Sequence, residues 1–251
     1  MEKYFDINES GCSIRCKIYC INMREIRSVV VYGHGFCGHK DNNVAAKFAT
    51  ALLKKHKDSA LLAFDWPCHG EDGRKKLVLD ECFEYLSLVI DYAKRELHAE
   101  KLYMYATSFG GYLTLKYIHD NGTPFGKIIL RCPAVNMYDV LLASVMKEDE
   151  IAKVMKGKDV EVGFDRKIKI SREFLEQLKD ADISDLDFID FAEDILIIHG
   201  TKDELVSFDF VRDFADRNII EFVPIENADH RFMNPTLLEL ANQYIFDFLE
   251  L

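Results

Sequence analysis

The chain has 251 residues, 49% of them apolar, which suits one large α/β domain with a substantial core. Its formal net charge of -11 argues against a nucleic-acid backbone as the main partner and disfavours electrostatic attachment to anionic lipid. The acidic start MEKYFDINESG has no apolar h-region and no stretch approaches the roughly 18 apolar residues that span a bilayer, so a cytoplasmic location without stable membrane insertion is expected.

In chain order, 4–7 and 12–21 predict two strands joined by an Asn-Glu-Ser-Gly turn. Within the second, Cys12, Cys16 and Cys20 share one face with Ile14 and Ile18, as on a half-buried strand. Residues four apart on a strand are about 13 Å apart, too far for a disulfide or a shared metal. An odd total of seven cysteines also fits structural thiols better than a disulfide framework.

The run 28–35 is continuously apolar and ends in glycines, as a central strand covered on both faces should. A helix from about 42 to 56 follows, then a strand at 59–66, a helix at 79–97, a strand at 102–107, a helix from 109 to 119 and a strand at 127–133. This alternation specifies a mostly parallel sheet of about eight strands, with helices on its faces. The rhythm breaks from 134 to 190, where a hairpin at 160–170 and a short helix capped by Ser171 are expected. That stretch is too long for an ordinary loop and reads as an excursion, either a cap or a peripheral decoration. The rhythm resumes with a strand at 194–200, a helix at 207–216, a strand at 219–225 and a helix at 235–250 that opens on Pro235.

The sharpest chemical feature is Ala106-Thr107-Ser108-Phe109-Gly110-Gly111, where a buried strand runs straight into a helix. A nucleophile elbow needs that context, with small residues two before and two after the serine. Ala106 stands where glycine is usual, and a plain helix N-cap is the bland alternative for Ser108. Two later strand ends supply partners: Thr201-Lys202-Asp203-Glu204 and Glu226-Asn227-Ala228-Asp229-His230. In an α/β sheet the functional crevice lies beyond the C-terminal strand ends, where all three loops fall. His230 is expected to take the Ser108 proton and Asp203 to hold the imidazole. Glu204 is expected to point elsewhere, and Asp229 adjoins His230 too closely to orient the far ring nitrogen.

The glycine-rich loop Gly33-His34-Gly35-Phe36-Cys37-Gly38 is expected to place the Phe36 amide beside that of Phe109, as donors to a developing oxyanion. On paper it also satisfies GxGxxG, but no acidic strand-end partner follows at the dinucleotide spacing; Asp65 lies 30 residues beyond Gly35. His34, His69 and His199 read as loop-shaping residues, while His39 is as readily solvated as functional. These loop histidines lack a compact ligand motif, so neither metal nor cofactor is expected. Cys37 ranks far below Ser108 as a nucleophile because it has no elbow context.

These motifs resemble those of the α/β-hydrolase superfamily of serine hydrolases. They are similar to compact bacterial cinnamoyl or feruloyl esterases, and to monoacylglycerol-lipase-like and serine-aminopeptidase-like hydrolases. The likeness runs from about Ser28 to Phe248 and rests on several matching segments. These are His34-Gly35-Phe36, then Asp65 with His69 and Gly70, the elbow, His199-Gly200 with Asp203 and Val206, and Ala228 to Phe232. The arginine common between Asp65 and His69 is missing, with Pro67 in its vicinity.

The resemblance implies an α/β-hydrolase core of residues 1–133 and 191–251 and an inserted cap of residues 134–190; Ser171-Arg172-Glu173-Phe174 resembles the segment closing such a cap. It implies a small-molecule ester substrate hydrolysed through an acyl-enzyme. Cys37, Met137, Tyr138, Leu141, Leu142, Phe164 and Phe174 are expected at the pocket. A peptidase or amidase on the same triad, or a non-catalytic protein retaining the fold, remain the alternatives, and the oligomeric state is left open.

Overall fold

The computed structural model describes residues 1–163 and 166–249. The sheet is built from β1 (Glu2–Glu9), β2 (Cys12–Cys20), β3 (Ser28–Gly33), β4 (Ser59–Phe64), β5 (Lys101–Thr107), β6 (Lys127–Arg131), β9 (Ile195–Gly200) and β10 (Glu221–Ile225). Its order is β1-β2-β4-β3-β5-β6-β9-β10. β2 runs antiparallel to both neighbours, and every other pairing is parallel. The chain therefore has the mostly parallel eight-stranded architecture of the α/β hydrolases.

The sheet separates two apolar layers. Helices α2 (Leu79–Arg95), α3 (Phe109–Asn121), α6 (Arg172–Asp180) and α7 (Phe208–Arg217) pack on one face, through residues such as Tyr85, Leu113, Phe174 and Phe214. Helices α1 (Asn43–Lys55) and α8 (Pro235–Leu249) cover the other, with Phe48 and Phe246 stacked at 5.2 Å. Period-2 alternation sorts β5 between them: Met104 and Ala106 face the first layer, Tyr103 and Tyr105 the second. The α1 start follows from Asn42, whose side chain accepts the Ala45 amide.

β2 departs from the expected half-buried pattern. Its cysteines are buried free thiols, but Lys17 and Tyr19 on the opposite face are buried as well. Lys17 Nζ lies 2.9 Å from Glu2 and 3.1 Å from Asp41, and over the rings of Tyr4 and Tyr19. A polar residue can be covered when its charge is paired, so polarity alone misjudges that face.

Between β6 and β9 the chain forms α4 (Met137–Val140), a π-helical turn Leu141–Val145, α5 (Glu148–Met155), the antiparallel pair β7 (Val160–Val162) and β8 (Ile168–Ile170), then α6 and a short 3-10 turn Ile189–Asp194. Arg166 ties the β7–β8 hairpin to the loop after β4, donating to the carbonyls of Cys68 (2.8 Å), Gly70 and Asp72 (3.4 Å). Among the described residues no helix is long and apolar enough to cross a membrane.

Candidate active site

Ser108 occupies the residue between β5 and α3 with φ 52° and ψ -117°, a left-handed conformation that side chains rarely adopt. It stands at the N-cap position but makes no side-chain capping bond, so the bland reading of this serine fails. Its amide donates to the Arg131 carbonyl at 3.0 Å, while its own carbonyl accepts from Tyr112 and Ala134. The turn can close because residue 110 is glycine: a Cβ there would stand 2.6 Å from the Gly33 oxygen and 2.8 Å from the His34 oxygen. Ala106 is tolerated in place of glycine because it pairs in register with Gly33, which leaves room for the methyl.

The loops after β9 and β10 bring Asp203 and His230 together. His230 Nδ1 is 2.7 Å from Asp203 Oδ2, and both Ser108 and His230 line one cavity. Asp203 Oδ1 accepts the amides of Leu205 and Val206 at 2.9 and 2.8 Å, locking the carboxylate. Burial works against the Asp203 charge. The hydrogen bonds and charge it meets from His199, His230 and Val206 outweigh that and hold the carboxyl well below the usual carboxylate range.

His199 was expected to shape its strand end, and it does more. Its Nε2 lies 3.1 Å from Asp203 Oδ2 and 3.2 Å from the Val206 carbonyl, while its ring packs against Phe208 and Phe222. With two acceptors around it, Nε2 carries the hydrogen. Asp203 Oδ2 therefore faces two imidazoles. The i,i+4 spacing of His199 and Asp203 is the signal in the sequence that could have revealed this. Glu204, expected to point elsewhere, accepts the His230 amide at 3.3 Å, and Asp229 accepts the Met233 amide at 3.2 Å.

The loop after β3 comes within contact of the elbow. The rings of Phe36 and Phe109 meet edge-on at 5.8 Å, and both pack on His69. His34 is buried, contacts the Gly35 carbonyl through Nδ1 at 2.8 Å and accepts the Trp66 amide at Nε2. Burial pushes its pKa down to about 4, so it serves this loop as a neutral imidazole. His69 is buried likewise, with Nδ1 2.8 Å from the Pro67 carbonyl. Asp65 accepts the amides of Lys40 and Glu71 and so joins this loop to the one after β4.

Cys132, Asp203 and His230 offer ligand atoms within 4.8 Å of one another. The 2.7 Å separation of Nδ1 and Oδ2 is that of a hydrogen bond. Two ligands on one tetrahedral zinc, each bonded at about 2.0–2.2 Å, would sit roughly 3.3 Å apart. These residues fit an acid–base pair better than a metal centre.

The cavity beside Ser108 has a volume of about 650 Å³. Its excursion-side wall is apolar, built by Met137, Val140 and Val145 with Leu205. Its sheet-side wall is polar, built by Tyr32, Asn42, Thr107 and Arg131. Of the residues expected at the pocket, Cys37 and Met137 line it. Leu141 and Phe174 instead sit fully buried in the core, and Tyr138 and Leu142 pack partly buried against it, because the start of the π-helical turn and the apolar stripe of α6 face inward. Phe164 lies outside the described residues.

Residues 24–172 match the family described as serine aminopeptidase, S33. The chain belongs to this family. Among solved structures, Est1E from Butyrivibrio proteoclasticus with ferulic acid bound shares 20% identity at a TM-score of 0.79, covering 98% of this chain and 97% of that one. Alpha/beta hydrolase domain-containing protein 10 from mouse shares 15% at 0.72, covering 99% and 98%. A monoacylglycerol lipase from Paleococcus ferrophilus shares 17% at 0.63, covering 95% and 98%. At these identities the likeness is one of fold. No curated protein matches the sequence. As a member of the S33 family the chain is a hydrolase.

Proposed function

We propose that this S33-family chain is a serine-dependent carboxylic ester hydrolase working through an acyl-enzyme. The observation that carries the reading is the strained Ser108 elbow opening into the same cavity as His230, whose Nδ1 is held 2.7 Å from Asp203. In the first half-reaction Ser108 Oγ attacks the ester carbonyl carbon and His230 Nε2 takes the hydroxyl proton. The carbonyl oxygen becomes an oxyanion that accepts from the Phe36 and Phe109 amides. Collapse breaks the bond to the alcohol, which leaves with the proton from His230. Water, deprotonated by the same imidazole, then cleaves the acyl-serine and restores Ser108. Asp203 fixes the tautomer and stabilises the imidazolium.

Residues 134–190 act in this reading as a cap whose apolar wall receives a small apolar or aromatic acyl group. The fold shared with Est1E, whose structure holds ferulic acid, supports an aromatic ester as one substrate. No cofactor takes part, and the chain works in the cytoplasm.

The test is a panel of p-nitrophenyl esters and aminoacyl amides, with labelling by a fluorophosphonate. Wild type should cleave esters and take up the label. Ser108→Ala should lose roughly 10⁴-fold or more of kcat with its circular dichroism unchanged. Labelling that persists in Ser108→Ala overturns the assignment, and faster cleavage of the amides moves the chain to the amide reading.

A further inference from the structure

We infer that Arg131 is the receptor for a carboxylate that the substrate carries in addition to its scissile ester; this rests on the ester hydrolase reading above. Arg131 closes β6 and pairs in register with Thr107, the residue before the nucleophile. Its backbone carbonyl accepts the Ser108 amide at 3.0 Å. Adjacent strands lie about 4.8 Å apart, so the base of this side chain stands one strand spacing from the elbow. The side chain lines the cavity.

Arg131 is 5% exposed, and its Nε and Nη1 are buried without a hydrogen-bond partner. It forms no ion pair among the described residues; Cζ lies 4.9 Å from the centre of the Phe232 ring, and the Asp229 carboxylate acts on it only through space. Buried ions are paired as a rule, because an uncompensated one loses its hydration with nothing in return. The other cations of this cavity follow that rule. Lys40 holds Asp41, Asp65 and Glu71, and Arg166 spends its fork on three backbone carbonyls. Arg231 also has a partner. Arg131 thus differs from its neighbours, among the described residues, in keeping free donors beside the reacting serine.

The surroundings suit an anion. Tyr32, Asn42 and Thr107 share this wall, and Tyr32 Oη already donates to Asn42 at 3.2 Å. Asp41 and Glu71, the carboxylates of the same cavity, lie against Lys40 and form no ion pair with the guanidinium. A planar carboxylate would take the free N–H groups in a charge-assisted pair and return the lost solvation. One fixed cation balances one carboxylate, which favours a monoanion over a phosphate dianion.

The experiment uses two matched pairs of esters. p-Nitrophenyl butyrate and p-nitrophenyl hemiglutarate differ by a carboxylate on the acyl group; phenyl acetate and 4-carboxyphenyl acetate differ by one on the alcohol. kcat/KM is measured for wild type, Arg131→Met and Arg131→Lys, each normalised to sites titrated by fluorophosphonate. Wild type should prefer the charged ester in at least one pair by about tenfold or more. Arg131→Met should abolish that preference, and Arg131→Lys should keep part of it. Equal rates within both pairs in wild type, or a preference that survives in Arg131→Met, overturns the proposal. If neither kind of ester is cleaved, the ester hydrolase reading fails by itself, and the receptor is tested by thermal shift. Benzoate should then raise the wild-type Tm more than benzamide does and lose that advantage in Arg131→Met; no difference between the two ligands overturns it.

Discussion

Lys40 and Arg131 are buried cations at one cavity, 1% and 5% exposed, and the chain treats them oppositely. Lys40 sits among three carboxylates, two of them within 3.1 Å of Nζ. Arg131 meets a phenyl ring and keeps idle donors. The first arrangement serves the fold, joining the loop after β3 to the loop after β4 through Asp65. The second does nothing comparable for stability, and a charge kept at a cost is best understood through what enters the cavity. The difference teaches that burial of a charge does not reveal its purpose; the state of its partners does.

Replacing each cation by methionine breaks the comparison if the two sites are alike. Lys40→Met leaves Asp65 buried without its cation and should cost about 3–5 kcal/mol in urea unfolding. Arg131→Met relieves an uncompensated desolvation and should leave stability unchanged or raise it. Similar losses in both would show that Arg131 also stabilises the fold.

A second, somewhat smaller effect tests how firmly the loop holding Lys40 depends on a neutral His34. Burial lowers the His34 pKa to about 4 in the folded chain, against about 6.5 when unfolded. Its contribution is therefore complete above about pH 6.5 and is lost as pH falls toward 4, up to about 3 kcal/mol in all. Unfolding midpoints measured from pH 7 to pH 5 should fall more steeply in wild type than in His34→Gln. Parallel curves would remove His34 from the account.

The smallest effect contrasts the cavity's apolar wall with its polar one. Met137→Ala should reorder kcat/KM among acyl groups of different length by about tenfold, the lower end of the roughly 1–3 kcal/mol that a methylene or two is worth. Phe174→Leu, in the core beneath, should cost about 1 kcal/mol of stability and leave the order intact. An order unchanged in Met137→Ala places acyl selection elsewhere.

The sheet was legible because βα alternation and glycine-punctuated strand ends are local patterns. The loops bearing Ser108, Asp203 and His230 were legible for the same reason, since parallel strands deliver their C-terminal ends to one edge. What stayed hidden depended on partners distant in the chain. KIILRCP shows a cation closing an apolar strand, yet nothing local says that Arg131 lacks a carboxylate. Phe174 and Leu141 looked like wall residues because they lie in the excursion; which way an amphipathic stripe turns is decided by what packs against it, here the main core. His199 seemed a turn residue until Asp203 folded back onto it.

The latch formed by Arg166 has an evolutionary consequence. All three of its acceptors are main-chain carbonyls, at positions 68, 70 and 72. A carbonyl is present whatever amino acid a codon specifies, so drift at the acceptor positions need not erase the bonds provided the loop keeps its path. The donor has no such freedom: lysine brings a single ammonium where three forked contacts are made. The hereditary burden of holding the hairpin to the loop after β4 therefore falls on Arg166 and on the glycine at position 70, where a Cβ would run into the Asp65 carboxylate, and in a lineage that loses the arginine that attachment should be found rebuilt or gone.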